Sequence, residues 1–126
     1  MSAKKLEWSA IDGQEHPVLS PAWISNGHVF TSGIVGQNYT TGVIPESIEE
    51  QTELAIANVA NVLSKSGSST DKVFKVLMFI SDAKYSQTVN QIYGKVFKQK
   101  PARSCVVVAF MDPAIKVELE VVATKD

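Results

Sequence analysis

The sequence predicts an α+β fold, a mixed β-sheet with two helices on one face. Three features carry the prediction. Two stretches repeat apolar residues at helical spacing, several short runs are rich in Val, Ile and Phe, and the elements order as β, β, β, α, β, α, β, β. At 126 residues the chain fits one domain, residues 1–126, around one core.

Leu6 to Ile11 reads as a short edge strand. After the punctuation of His16-Pro17 and Ser20-Pro21, Ala22-Trp23-Ile24 reads as a strand. Ser25-Asn26-Gly27 then makes a tight turn, because Asn-Gly suits the left-handed conformations of a two-residue hairpin. His28 to Ser32 is the return strand and ends at Gly33; Gly36 to Pro45 is a polar loop turning at Thr41-Gly42. Ser47-Ile48-Glu49-Glu50 is a capping box, and the helix it opens runs to about Ser66 with Ile48, Ala55, Val59, Val62 and Leu63 on one face. Asn58, Asn61 and Lys65 fall largely elsewhere, and Gly67 supplies the stop. Val73 to Ile80 reads as a strand, and Ser81 or Asp82 as the cap of a second helix with the stripe Val89, Ile92, Tyr93, Val96, Phe97. Arg103 to Met111 is the next strand, Asp112 to Ile115 a turn, and Lys116 to Thr124 the last strand. In that last strand Val117, Leu119, Val121 and Ala123 share one face; Glu118, Glu120 and Val122 share the other.

Composition limits the function classes. A net charge of -1 disfavours nucleic acid or an acidic membrane as partner. Cys105 is the single cysteine, so no intrachain disulfide forms; it reads as packing rather than as a nucleophile, with no histidine near it in sequence. His16 and His28 lack metal-ligand spacing, and no metal is expected. The first residues lack the apolar core of a signal peptide, and Glu7, Asp12 and Glu15 are foreign to an acid-poor mitochondrial presequence. No apolar run approaches the ~20 residues of a membrane span. A cytoplasmic protein is expected, with mitochondrial and nuclear placement left open.

Two helices cover one sheet face, yet both residue sets of the strand from Arg103 are largely apolar. A sheet apolar on both sides is usually buried on both sides, so a second copy of the chain is expected to cover the open face. Arg103 stands out in this apolar strand. Its charge is permanent, and burying it unpaired costs several kcal/mol. Either it is a structural ion-pair partner, or it waits for a ligand. If Asp112 to Ile115 close a hairpin, Arg103 and Glu118 lie on the order of 20 Å apart in one chain, and any site they share lies between subunits. Read alone, Glu118 can also be a solvated strand residue and Ser32 a strand end. Tyr93 and Phe97 read as core, and His28 as strand surface.

Pro101-Ala102-Arg103-Ser104-Cys105-Val106 with Val117-Glu118-Leu119-Glu120-Val121-Val122-Ala123 resembles the C-terminal signature of the RidA (YjgF/UK114) family. Thr31-Ser32-Gly33 resembles the family's strand-ending Ser-Gly, and Thr88-Val89-Asn90 with Tyr93 and Phe97 its second helix. The resemblance covers nearly the whole chain. It implies a chorismate-mutase-like fold, assembled as a homotrimer with clefts between subunits. It also implies hydrolysis of 2-imino acids, such as 2-iminobutanoate and 2-iminopropanoate, to 2-oxo acids and ammonia. Such imines escape from pyridoxal-phosphate enzymes, and no metal or organic cofactor is implied. By the same resemblance Arg103 holds the substrate carboxylate through two parallel hydrogen bonds. Glu118, with the backbone carbonyl of Cys105, places a water; Ser32 and the backbone of Gly33 line the cleft floor; Asn90 supports it.

Two positions depart from the family pattern. Leu19 falls where members commonly carry a cleft-closing tyrosine, and Ile34-Val35 follows Ser32-Gly33 where members tend to read Gln-Ile. Both changes make the expected pocket more apolar, favouring imines with larger apolar side chains or weakening activity on the small ones. Rival readings are a non-catalytic trimeric carboxylate-binding or chaperone-like module, RNA cleavage, and deamination of a different enamine by the same chemistry.

Overall fold

The computed structural model describes residues 2–125. Its strands are β1 (Lys4–Leu6), β2 (Ala22–Ser25), β3 (His28–Thr31), β4 (Ile34–Val35), β5 (Val73–Ile80), β6 (Ala102–Val107) and β7 (Val117–Thr124); its helices are α1 (Ile48–Lys65) and α2 (Ser86–Val96). The strands form one mixed sheet in the order β1-β2-β3-β7-β5-β6, with β4 also on β7. β5 and β6 run parallel, joined by the α2 crossover; the other pairs are antiparallel.

Local chemistry sets the helix limits. Ser47 Oγ accepts the Glu50 N–H at 3.1 Å, and the Glu50 carboxylate answers the serine hydroxyl rather than the backbone. α1 closes with Gly67 at φ 85°, where the Ser68 N–H reaches the Leu63 carbonyl and the Gly67 N–H that of Ser64. Asp82 caps the short 3-10 turn 83–85 that precedes α2.

Both helices lie on one face. Ala55, Ile56, Val59, Val62 and Leu63 of α1 join Val89, Tyr93 and Phe97 of α2 in one core with Val76, Met78, Ile80 and the inward row of β7. Val96 of the expected stripe is exposed. Asn58 is half-buried, and its Nδ2 holds the Val35 and Gln37 carbonyls at 3.0 and 2.8 Å. Gln51, fully buried, ties Pro45, Ala114 and Lys116 together. These two amides lock the loop after β4 and the loop before β7 onto α1.

Three expectations need correction. Only 4–6 is strand at the N-terminus; Trp8–Ile11 winds into a 3-10 turn that buries Trp8. β4 is a strand that alternation could not reveal, being two residues long. β6 and β7 do not pair as a hairpin, and β6 ends at Val107. β5 and β7, each eight residues long, pair from Val73–Ala123 to Ile80–Val117 with a bulge at Phe74, and the shorter β6 takes the outer edge of β5.

The other sheet face is open. It carries Trp23, Phe30, Phe74 and Val106, each more than two-fifths exposed, together with half-buried Leu77, Phe79 and Val122. His28 lies there too, edge-on to the Phe74 ring at 5.8 Å. The expected apolar second face is therefore present, and no segment of the described chain covers it. Among the described residues no helix is long and apolar enough to cross a membrane.

Candidate functional site

The site residues expected from sequence fall into two groups, one on each side of the sheet. Arg103 pairs with Val76, whose side chain is in the core, so Arg103 projects on the helix-covered side at the β6 edge. Its guanidinium stacks over the Tyr93 ring, 4.8 Å from the centroid. Among the described residues no carboxylate forms an ion pair with it. An open cleft of about 420 Å³ lies beside it, lined by Tyr93, Gly94, Phe97, Lys98, Lys100 and Arg103. Three cations and no acid make this a cleft for an anion. The Tyr93 hydroxyl is buried with no hydrogen-bond partner among the described residues, and burial raises its pKa against the lowering effect of Arg103.

Cys105 follows on the same side of β6, its thiol exposed. The Val108 N–H reaches back to the Ile80 carbonyl. By strand alternation the Cys105 carbonyl therefore faces the free edge, available to a ligand or water. Asn90 is exposed on α2, one turn before Tyr93 and Gly94, on the same side of that helix.

The second group surrounds Glu118 on the open face, opposite Phe79 on one side and Val35 on the other. Phe30 faces Val122 while Ile34 faces Leu119, so the β3–β4 segment carries one residue more than β7 and bulges at Thr31–Gly33. Thr31 Oγ1 accepts the Val121 N–H at 3.0 Å and steadies the bulge. Gly33 then lies directly under Glu118: a Cβ there would overlap the carboxylate. Ser32 donates its hydroxyl to the Ser20 carbonyl at 2.5 Å and its N–H to that of Pro21 at 2.9 Å. These bonds hold the segment that presents Leu19, whose carbonyl accepts Trp8 Nε1 at 2.7 Å. Leu19 is 45% exposed and lines two adjoining cavities, of about 470 and 200 Å³. Burial raises the Glu118 pKa, and the neighbouring Glu120 charge raises it further.

The structure thus gathers Leu19, Ser32, Gly33 and Glu118 in one place, and Arg103, Cys105 and Asn90 in another. Arg103 shares a row with Val121, three residues from Glu118 and two strands across. Strand geometry then separates their Cα atoms by on the order of 14 Å, on opposite faces. The hairpin register behind the larger expected distance is wrong, while the intrachain separation itself stands for a different reason. Ile34 also departs from expectation: it is fully buried opposite Leu119, so it belongs to the core and not to a cleft. Leu19 alone makes the cleft more apolar. Lys98 and Lys100 were missed; nothing in the sequence near them has periodicity that points to a cavity.

Comparison with known proteins bears on the family and the fold. The family model described as Endoribonuclease L-PSP matches residues 15–125. The "Reactive Intermediate Deaminase A, chloroplastic" of Arabidopsis thaliana is 34% identical, over 98% of this chain and 70% of that one. The crystal structure of yeast Mmf1 superposes with a TM-score of 0.90 at 32% identity, over 99% of this chain and 100% of that one. E. coli TdcF, solved with bound serine, superposes with a TM-score of 0.82 at 30% identity, over 90% of this chain and 92% of that one. With this match in sequence and in fold, the chain belongs to the Endoribonuclease L-PSP family, also known as the YjgF/RidA family.

Proposed function

We propose that the protein hydrolyses 2-imino acids to 2-oxo acids and ammonia, in clefts that two copies of the chain build together within a homotrimer. The observation that carries this reading is the unmatched Arg103 guanidinium in a cationic cleft, with Glu118 on the opposite sheet face. One chain cannot bring the two groups to one small molecule; the β6 edge of one copy laid on the open face of the next can. The exposed apolar residues of both surfaces favour that contact. A deaminase name among the relatives and a bound amino acid in TdcF fit a small carboxylate as ligand.

Arg103 grips the substrate carboxylate through two parallel N–H···O bonds, fixing its orientation. The imine, protonated on nitrogen, is electrophilic at carbon. A water held by Glu118 and the Cys105 carbonyl adds there, and the C=N π pair moves to nitrogen. Glu118 takes the proton the water loses, which its raised pKa suits it to do and to return. That proton passes to the amino nitrogen of the carbinolamine; the C–N bond then breaks as the C=O forms, Glu118 takes up the hydroxyl proton, and the departing ammonia carries that proton away as ammonium. Water addition to a protonated imine needs neither metal nor organic cofactor. Leu19 adds apolar surface to the cleft, which favours imines with larger apolar side chains.

Leu19 also favours a second reading, a trimer that binds small carboxylates without turning them over, because no side-chain hydroxyl stands there. RNA cleavage fits less well, since the net charge is -1. The deciding assay generates imines with an amino-acid oxidase or threonine dehydratase while semicarbazide competes for them. Wild-type protein should suppress the semicarbazone signal and Arg103→Ala should not. No suppression across several side chains would leave the binding module.

A further inference from the structure

A phenol hydroxyl lies within electrostatic reach of Glu118. Tyr39 lies in the polar loop after β4, and its phenol oxygen accepts the Val35 N–H at 3.0 Å. Val35 is the residue facing Glu118 across the β4–β7 pairing. The loop is well fastened. The Tyr39 carbonyl accepts the Gln14 N–H at 3.0 Å, Asn38 Oδ1 accepts the Thr40 and Thr41 N–H groups, and the Tyr39 ring leans on Trp8 with centroids 5.4 Å apart. Tyr39 shares with Leu19 and Gly33 the lining of the cavity of about 200 Å³. A phenol accepts and donates at once. Here the acceptor side is used by Val35, and among the described residues nothing takes the proton.

We propose that Tyr39 is a substrate-water positioning residue: its free O–H donates to the water that Glu118 holds, which aims the remaining lone pair of that water at the imine carbon. The water then accepts from Tyr39, donates to Glu118 and keeps one lone pair for attack. Burial and the Glu118 charge both raise the phenol pKa, so the donor stays protonated at neutral pH. The role in the reaction rests on the imine-hydrolysis reading; the hydrogen-bond bridge to Glu118 does not.

Tyr39→Phe removes the hydroxyl and keeps the ring on Trp8. Its kcat on a small imino acid should fall about tenfold with KM little changed, the size of one lost hydrogen bond. A second readout is independent of activity. The Glu118 carboxyl carbon, followed by NMR, should titrate at higher pH in the variant, because the bridge favours the ionised form. Other charges near this titration are Glu120 on β7 and, around the Tyr39 cavity, Glu15 and His16. β5 contributes Leu77 and Phe79 nearby, with Lys75 further along, and these are common to both proteins. An unchanged midpoint overturns the proposal, as does an unchanged kcat in a protein whose wild type hydrolyses imines. If the wild type hydrolyses none, the proposed reaction fails and the titration alone decides the bridge. Should Tyr39→Phe not fold, 3-fluorotyrosine at position 39, whose phenol stays protonated through the Glu118 titration, replaces it. Its fluorine resonance should then follow Glu118 ionisation and lose that response in Glu118→Gln; a resonance that ignores Glu118 overturns the bridge.

Discussion

The Glu118 and Arg103 regions are built in opposite ways. Around Glu118 the backbone is fixed by a bulge, by Ser32 on Ser20 and Pro21, by Thr31 on Val121 and by Asn58 on the Val35 and Gln37 carbonyls. Around Arg103 there is an edge strand, exposed along most of its length, and a guanidinium leaning on one ring. Both strands flank β5, yet β7 is finished by its own chain and β6 is not. The difference teaches that a carboxylate of perturbed acidity needs a rigid frame, whereas a cation proposed to grip a ligand needs an empty place beside it.

The contrast breaks most sharply at Arg103 itself. Arg103→Ala should lower kcat/KM by about 10²-fold or more, since losing one partner of a hydrogen-bonded charge pair costs on the order of 2–5 kcal/mol. Its stability should hardly move, because the lost stacking on Tyr93 contributes only about 0.5–1 kcal/mol. Gly33→Ala should do the reverse mixture. The new Cβ displaces the Glu118 carboxylate, and the strain should cost about 1–3 kcal/mol in chemical denaturation along with most of the activity. Equal losses of stability in the two variants would remove the distinction between frame and gap.

A second pair separates core from open face. Leu119→Ala, on the buried side of β7, should cost about 2–5 kcal/mol. Val106→Lys, on the open side of β6 and 42% exposed, should leave the chain folded by circular dichroism and weaken self-association in sedimentation. A folded variant that assembles like wild type would show that this edge is not the contact between copies.

The ends of this contrast were not equally legible in the sequence. α1, α2 and the alternation of β7 announce themselves, because a helix or strand with one dry face writes its period into the chain. The order of strands does not. Whether β6 turns back on β7 or crosses over through α2 depends on matching strand lengths across β5, which no local pattern encodes. The bulge at Thr31–Gly33 shifts β4 by one residue, and so placed Ile34 in the core where alignment had suggested a cleft. Arg103 and Glu118 were readable as residue types in a motif. The place of Tyr39 was not, because it comes from a loop pinned by distant groups, Gln14 and Asn58 among them.

The smallest expected effect concerns Glu120. Its charge is the second cause, after burial, of the raised Glu118 pKa, so Glu120→Gln should lower that pKa modestly while burial keeps it above the ordinary carboxylate range. The acid limb of the pH–rate profile should therefore move to lower pH. Stability responds to pH through the same shift. A carboxyl whose folded pKa is raised favours the folded state below its unfolded pKa, and that contribution is lost as pH rises through the folded value. Wild-type stability relative to Glu118→Gln should thus decline on raising pH through this window, and Glu120→Gln should flatten the decline. Because Glu118 is half-exposed and Glu120 exposed, solvent screens the coupling, and added salt should shrink the difference. Arg103 offers the control: it lies across the sheet, so Arg103→Ala should leave the Glu118 titration in the isolated chain where it is. A shift there in the assembled protein, absent in the Val106→Lys variant, would place the two charges in one cleft made by two copies.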